Sequence, residues 1–150
     1  MEEKKIIWIT GASSGIGKAL AIKFAESGWV VAASARRENL LNELKNINQN
    51  IYSFPLDVTE IDGCKTTAKN IIDQFGGINI CVFGTGMHDP KSEKIFNLNK
   101  IREIMEINYF GTINSINSIY NYFSEKKSGQ ISIISSVAGY RGLPAAGAYC

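Results

Sequence analysis

The chain has 150 residues, of which 45% are hydrophobic and 20% charged, with a formal net charge of +2. This is the size of one domain with a real core, and its composition is that of an ordinary soluble globular protein. Its charge is too small to argue for nucleic acid or a membrane surface as a partner. The start, Met1-Glu2-Glu3-Lys4-Lys5, has mixed charge and leads into only a short apolar run, which reads as neither a signal peptide nor a spanning helix. The three cysteines, Cys64, Cys81 and Cys150, form no C-x-x-C pair. That usage suits a reducing cytoplasm and argues against a disulfide framework or a zinc site. His88 stands alone and reads as a loop residue rather than a metal ligand.

In chain order, apolar strand-like runs alternate with helical patterns. Strands are expected at 5–9, 30–34, 51–54, 78–83 and 130–134, and helices at 16–27, 38–46, 61–75 and 100–123. The last helix has a candidate break near Asn108 to Gly111. Gly28 suits the C-terminal cap of the first helix. Alternating β and α units imply an α/β fold, a doubly wound parallel sheet of Rossmann-like form in one dinucleotide-binding domain, with strand order 3-2-1-4-5.

The first strand runs into Thr10-Gly11-Ala12-Ser13-Ser14-Gly15-Ile16-Gly17. Glycines here let the backbone turn tightly and approach a pyrophosphate closely. The following helix start offers unpaired N–H groups and partial positive charge. A tight βα turn without a ligand is the competing reading. The second strand ends at Ser34-Ala35-Arg36-Arg37, where dinucleotide folds often place an acid on the ribose hydroxyl. Two arginines instead favour a 2′-phosphate, and therefore NADP; the bland alternative is a pair of solvated arginines opening a helix.

Asp57, followed by Val58-Thr59, could accept a bond from an adenine amine, or it or Thr59 could cap the next helix. Gly84-Thr85-Gly86 closes the fourth strand at the carboxyl edge, where ligands sit in such sheets. The last stretch brings Ser135-Ser136-Val137-Ala138-Gly139 and then Tyr149, a serine and a tyrosine suited to acid–base chemistry.

Together these residues resemble the short-chain dehydrogenase/reductase family over the whole chain. The family's Thr-Gly-x3-Gly-x-Gly signature falls on Thr10, Gly11, Gly15 and Gly17, and its Asp-Val pair on Asp57 and Val58. Its active-site asparagine falls on Asn108, with Gly111 in the Asn-x2-Gly context. Its catalytic serine falls on Ser136 and its catalytic tyrosine on Tyr149, thirteen positions later. The resemblance implies an enzyme that transfers a hydride between NADP(H) and a carbonyl or alcohol substrate. Tyr149 would be the acid–base group, Ser136 the partner of the substrate oxygen, and Asn108 the holder of a backbone kink or water.

Cofactor contacts are implied at Gly11, Ser13, Ser14, Gly15, Ile16, Gly17, Arg36, Arg37, Asp57, Val58, Gly84 and Gly86. The family often pairs through the helix matching 108–123, which implies a homo-oligomer in the full-length form.

Two departures stand out. Where the family has Asn-Asn-Ala-Gly, this chain has Phe83-Gly84-Thr85-Gly86. The family also carries a lysine four residues after its tyrosine, whereas this chain reads only to Cys150. The expectation is a C-terminally incomplete domain that lacks the family's last strands and helices. The second reading is a nucleotide-binding module without turnover.

Overall fold

The first strand, β1 (Ile6–Thr10), is buried along its whole length. Its alternate residues face opposite ways, and both sides are covered. Ile6 and Trp8 join one apolar cluster, while Ile7 and Ile9 join another. That is why the strand reads as a continuous apolar run rather than an alternating one. The computed structural model describes residues 4–90 and 96–150; the mixed-charge Met1 to Glu3 lie outside the described residues.

Around β1 the elements follow as α1 (Gly15–Glu26), β2 (Val30–Ser34), α2 (Glu38–Ile47), β3 (Ile51–Ser53), α3 (Ile61–Phe75) and β4 (Ile80–Phe83). Then come α4 (Leu98–Met105), a π-helical segment (Glu106–Phe110), α5 (Gly111–Lys126), β5 (Gln130–Ile133) and a short 3-10 turn (Val137–Gly139). The sheet is parallel in the order β3-β2-β1-β4-β5, as the alternating pattern implies. Ala21 and Ala25 of α1 and Leu41 and Leu44 of α2 pack on one face. Cys64, Ala68 and Ile71 of α3 and Ile119 of α5 pack on the other.

Registry brings the strand ends level. Thr10 pairs with Ser34 and with Phe83, and Phe83 pairs with Ile133. The carboxyl ends of four strands therefore open on one edge, where the loops carrying the sequence motifs emerge. The α1 helix ends as its sequence suggests: Gly28 has φ +83°, and Trp29 N–H returns to the Phe24 carbonyl at 3.0 Å.

The helix expected at 100–123 differs in form. It starts at Leu98, capped by Asn97 Oδ1 accepting from Lys100 N–H at 3.1 Å, and it runs on to Lys126. The break near Asn108 is a π turn, not a stop. No proline interrupts the segment, so the extra residue is absorbed as a bulge. Tertiary contact accounts for its position. A Cβ on Gly111 would stand 2.4 Å from Val58 Cγ2, and Asn114 Nδ2 donates to the Val58 carbonyl at 3.0 Å. Close approach to the β3–α3 loop thus fixes where α5 must begin.

Candidate functional site

The glycine loop is tied at both flanks. Ala12 N–H donates to the Ser34 carbonyl at 3.1 Å. Gly84 N–H donates to the Thr10 carbonyl at 3.3 Å and faces Thr10 Oγ1 at 3.2 Å. The glycines of this loop serve different ends. A Cβ on Gly11 (φ +73°) would lie 2.6 Å from the Gly84 carbonyl oxygen, and one on Gly17 would lie 2.3 Å from the Gly11 carbonyl oxygen. Those two positions allow backbone to pack on backbone. Gly15 (φ +54°) is different, since a Cβ there meets nothing within 4 Å. It faces open space.

That space is a cleft of about 400 Å³ lined by the loop from Gly11 to Gly17, by Arg36 and Arg37, by Asp57 and Val58, and by Gly84 and Gly86. The N-terminus of α1 points into it. Its first turn contains no acidic residue, and the Ser14 side chain makes no capping bond. The first N–H groups of a helix have no intrahelical acceptor, so this end carries uncompensated positive potential.

Arg37 closes the outer side. Its Nη2 donates to Ser13 Oγ at 2.9 Å and to Ser14 Oγ at 3.1 Å. The guanidinium thus stands beside the glycine loop, at the point where an acid would otherwise exclude phosphate. Asp57 is held by its own loop: Oδ1 accepts from Thr59 N–H at 3.0 Å and from Thr59 Oγ1 at 2.8 Å. Neither Asp57 nor Thr59 caps α3, whose N-cap position falls on Glu60.

A second cleft, of about 500 Å³, is lined by Asn108, Ser136 and Tyr149 among others. The structure therefore brings together three residues spread over 41 positions of the chain. Ile16, Gly84, Thr85, Gly86 and Ile134 line both clefts, so the two form one continuous groove along the carboxyl edge. Ser136 sits just beyond β5, where its Oγ accepts from Ala138 N–H at 3.2 Å. Asn108 lies in the π segment. Its Oδ1 accepts from Met87 N–H at 2.7 Å, and its Nδ2 donates to the Met87 carbonyl at 2.8 Å.

The Phe83-Gly84 departure has a packing explanation. Phe83 is buried, and its ring stands edge-on to Trp8 at 5.5 Å between centroids. A Cβ on Gly84 would come 2.7 Å from Ile134 Cδ1, so the side chain missing here is matched by an isoleucine filling the gap. Core packing replaces whatever the two amides would bond.

Sequence reasoning gave no role to the Thr10 hydroxyl or Asn114, and it read His88 only as a loop residue. Thr10 and Asn114 anchor the loops described above. His88 lies with its ring 4.6 Å from that of Tyr149, a contact between residues 61 positions apart that no local pattern announces. Lys126 is far from this edge: its Nζ reaches the Ile78 carbonyl at 3.5 Å, before the start of β4, and Tyr122 Oη at 3.4 Å. Among the described residues, no group of three or more His, Cys, Asp or Glu could hold a metal ion, and no helix is long and apolar enough to cross a membrane.

A parallel sheet whose switch point opens into a cleft lined by a glycine loop, a helix N-terminus and two arginines defines a Rossmann-like α/β protein. The family model for short chain dehydrogenase matches residues 5–150, and the chain belongs to that family. It is 31% identical to dehydrogenase/reductase SDR family member 7 of Mus musculus, over 97% of this chain and 45% of that protein. It is 36% identical to the SDR family protein 7-like of Dictyostelium discoideum, over 91% of this chain and 46% of that protein. The chain thus spans about half the length of these relatives.

Among solved structures, a short-chain dehydrogenase from Streptomyces avermitilis superposes with a TM-score of 0.87 at 26% identity, covering 97% of this chain and 54% of that one. The fold also matches ElxO with NADP bound, with a TM-score of 0.87 at 24% identity, covering 97% of this chain and 61% of that one.

Proposed function

We propose that the protein is an NADP(H)-dependent oxidoreductase acting on a small carbonyl or alcohol substrate. The observation that carries this reading is the continuous groove, with arginine at one end and Ser136, Tyr149 and Asn108 at the other. Its arginine-lined end suits the phosphates of a dinucleotide laid across it. NADP(H), when bound, supplies the hydride.

The chain's own residues do the rest. The N–H groups opening α1 hold the pyrophosphate in the space at Gly15, with Gly11, Ile16 and Gly17 shaping the turn around it. Arg36 and Arg37, with Ser13 and Ser14, hold the 2′-phosphate through charge-assisted bonds. Asp57 and Val58 border the adenine, and backbone at Gly84 and Gly86 meets the ribose. Ser136 hydrogen-bonds the substrate oxygen and stabilises charge developing there. Tyr149 exchanges a proton with the same oxygen. Asn108 fixes the loop that follows β4.

That the ElxO structure, which shares this fold, holds NADP supports the cofactor assignment. A homo-oligomer and a cytoplasmic location belong to the same reading. Phe110 and Tyr120 expose apolar surface at the start and along the length of α5, which supports pairing there.

The test is NADPH oxidation against a panel of ketones and aldehydes, with Tyr149→Phe as control. Alcohol formation matched to NADPH loss, and abolished in Tyr149→Phe without loss of NADPH binding, is the expected result. Turnover unchanged in Tyr149→Phe overturns the assignment of roles. NADPH binding with no turnover on any carbonyl identifies a nucleotide-binding module instead.

A further inference from the structure

We propose that His88 is a positioning residue for Tyr149, and that Asn108 acts on Tyr149 through it. The inference rests on the reading of Tyr149 as the acid–base group. The chain of contacts is short. The π segment turns the Asn108 side chain toward the loop after β4, where both polar atoms of its amide are spent on Met87 backbone, at 2.7 and 2.8 Å. Met87 is thereby fixed on its N–H and on its carbonyl, and the carbonyl belongs to the peptide that leads directly into His88.

The His88 ring then lies against the Tyr149 ring, with centroids 4.6 Å apart and planes inclined by 32°. That separation lies within the range of favourable offset aromatic packing. The tyrosine has its own backbone anchor from the other side, where its N–H donates to the carbonyl of the buried Ala146 at 3.2 Å.

The arrangement matters because an acid–base side chain must be held in its working orientation by the groups packed around it. Its backbone bond leaves the ring torsions open. The imidazole supplies a wall on one side of the phenol, while the cleft holding Ser136 lies on another. The two segments that meet here are far apart in sequence, and the His88–Tyr149 contact joins the end of the β4 loop to the segment carrying the phenol. A flat aromatic ring is what this role requires. Phenylalanine should therefore substitute for His88, and alanine should not.

The chain has a single histidine, so its imidazole proton signals identify themselves in a proton NMR spectrum. The expected result is an imidazole signal displaced upfield by the neighbouring phenol, with a cross-relaxation peak to Tyr149 ring protons. Tyr149→Leu should move the signal back downfield, while Tyr149→Phe should leave it displaced. Asn108→Ala should also abolish the displacement. The tyrosine exchange tests the contact even where the asparagine variant fails to fold.

In ring-labelled protein, His88→Ala should shift the Tyr149 signals and His88→Phe should restore them. An imidazole signal unmoved by Tyr149→Leu overturns the proposal. So does a Tyr149 signal indifferent to His88→Ala. These readouts need no cofactor, so an intact ring contact alongside absent NADPH binding fails the functional reading alone.

Discussion

Gly11→Ala and Gly15→Ala should have opposite consequences, although the two glycines belong to one motif. Both have positive φ, +73° and +54°, so each alanine carries a left-handed penalty of roughly 1–2 kcal/mol. That term is common to both and cancels in the comparison. The difference lies in what the new methyl meets. At Gly11 it would stand 2.6 Å from the Gly84 carbonyl oxygen and 2.9 Å from the Thr85 nitrogen, both of them backbone atoms. Neither can rotate away. Relief requires β1 and the end of β4 to part, which strains the bond from Gly84 N–H to Thr10.

Overpacking of this kind costs about 1–3 kcal/mol. Gly11→Ala should therefore lose about 2–5 kcal/mol in all, a large part of a domain's ~5–15 kcal/mol. At roughly 2–4 °C per kcal/mol for a chain of this size, that is a fall in Tm of about 4–20 °C. Gly15→Ala should lose only the backbone penalty, about 1–2 kcal/mol, because nothing lies within 4 Å of its methyl. Its effect should instead fall on NADPH affinity. The assay is thermal and urea unfolding by circular dichroism, with NADPH titrated against each folded variant. Equal unfolding midpoints for the two variants would refute the reasoning, as would a greater loss of stability at Gly15.

Further outcomes are expected elsewhere. Arg37→Ala should weaken NADPH relative to NADH; a charge-assisted bond is worth about 1.5–3 kcal/mol, and the exposure of this side chain puts the effect at the low end, roughly tenfold. Trp8→Phe should cost about 1–3 kcal/mol in urea unfolding, because it strips the buried Ser34 Oγ of the indole N–H that donates to it at 2.9 Å; adding Ser34→Ala should recover part of that loss. A thiol reagent should modify Cys150 quickly in the folded chain and Cys64 and Cys81 only after denaturation. Burial pushes the latter two thiols up, so they stay protonated and unreactive near neutral pH, while Cys150 is exposed.

The fold was legible because local chemistry and tertiary demand agree. The β1 run is apolar without alternation because both faces are covered, and Gly28 ends α1 where a left-handed residue is needed. The groove was legible for a related reason. Gly11, Gly15 and Gly17 announce a turn that side chains would block, and Arg36 and Arg37 announce the absence of an acid.

What the sequence hid depends on long-range contact. The π turn arises because α5 must clear Val58, which lies 53 positions before Gly111. The stacking of His88 on Tyr149 joins two loops with no shared pattern. Asp57 suggested a helix cap, but its oxygen is engaged by Thr59 in a turn that precedes the helix. The replacement of two amides by Phe83 and Gly84 makes sense only once Trp8 and Ile134 are seen beside them.

The claim that the arginine-lined cleft at the glycine loop holds NADP(H) is tested most directly by fluorescence titration of the folded chain with NADPH and NADH, repeated on Gly15→Val. A valine there fills the open space and takes a backbone angle that β-branched residues avoid. The account predicts saturable binding that is tighter for NADPH, and no detectable binding to a Gly15→Val protein that retains its circular dichroism spectrum. Equal affinity for the two cofactors, or undiminished NADPH binding by folded Gly15→Val, would contradict it.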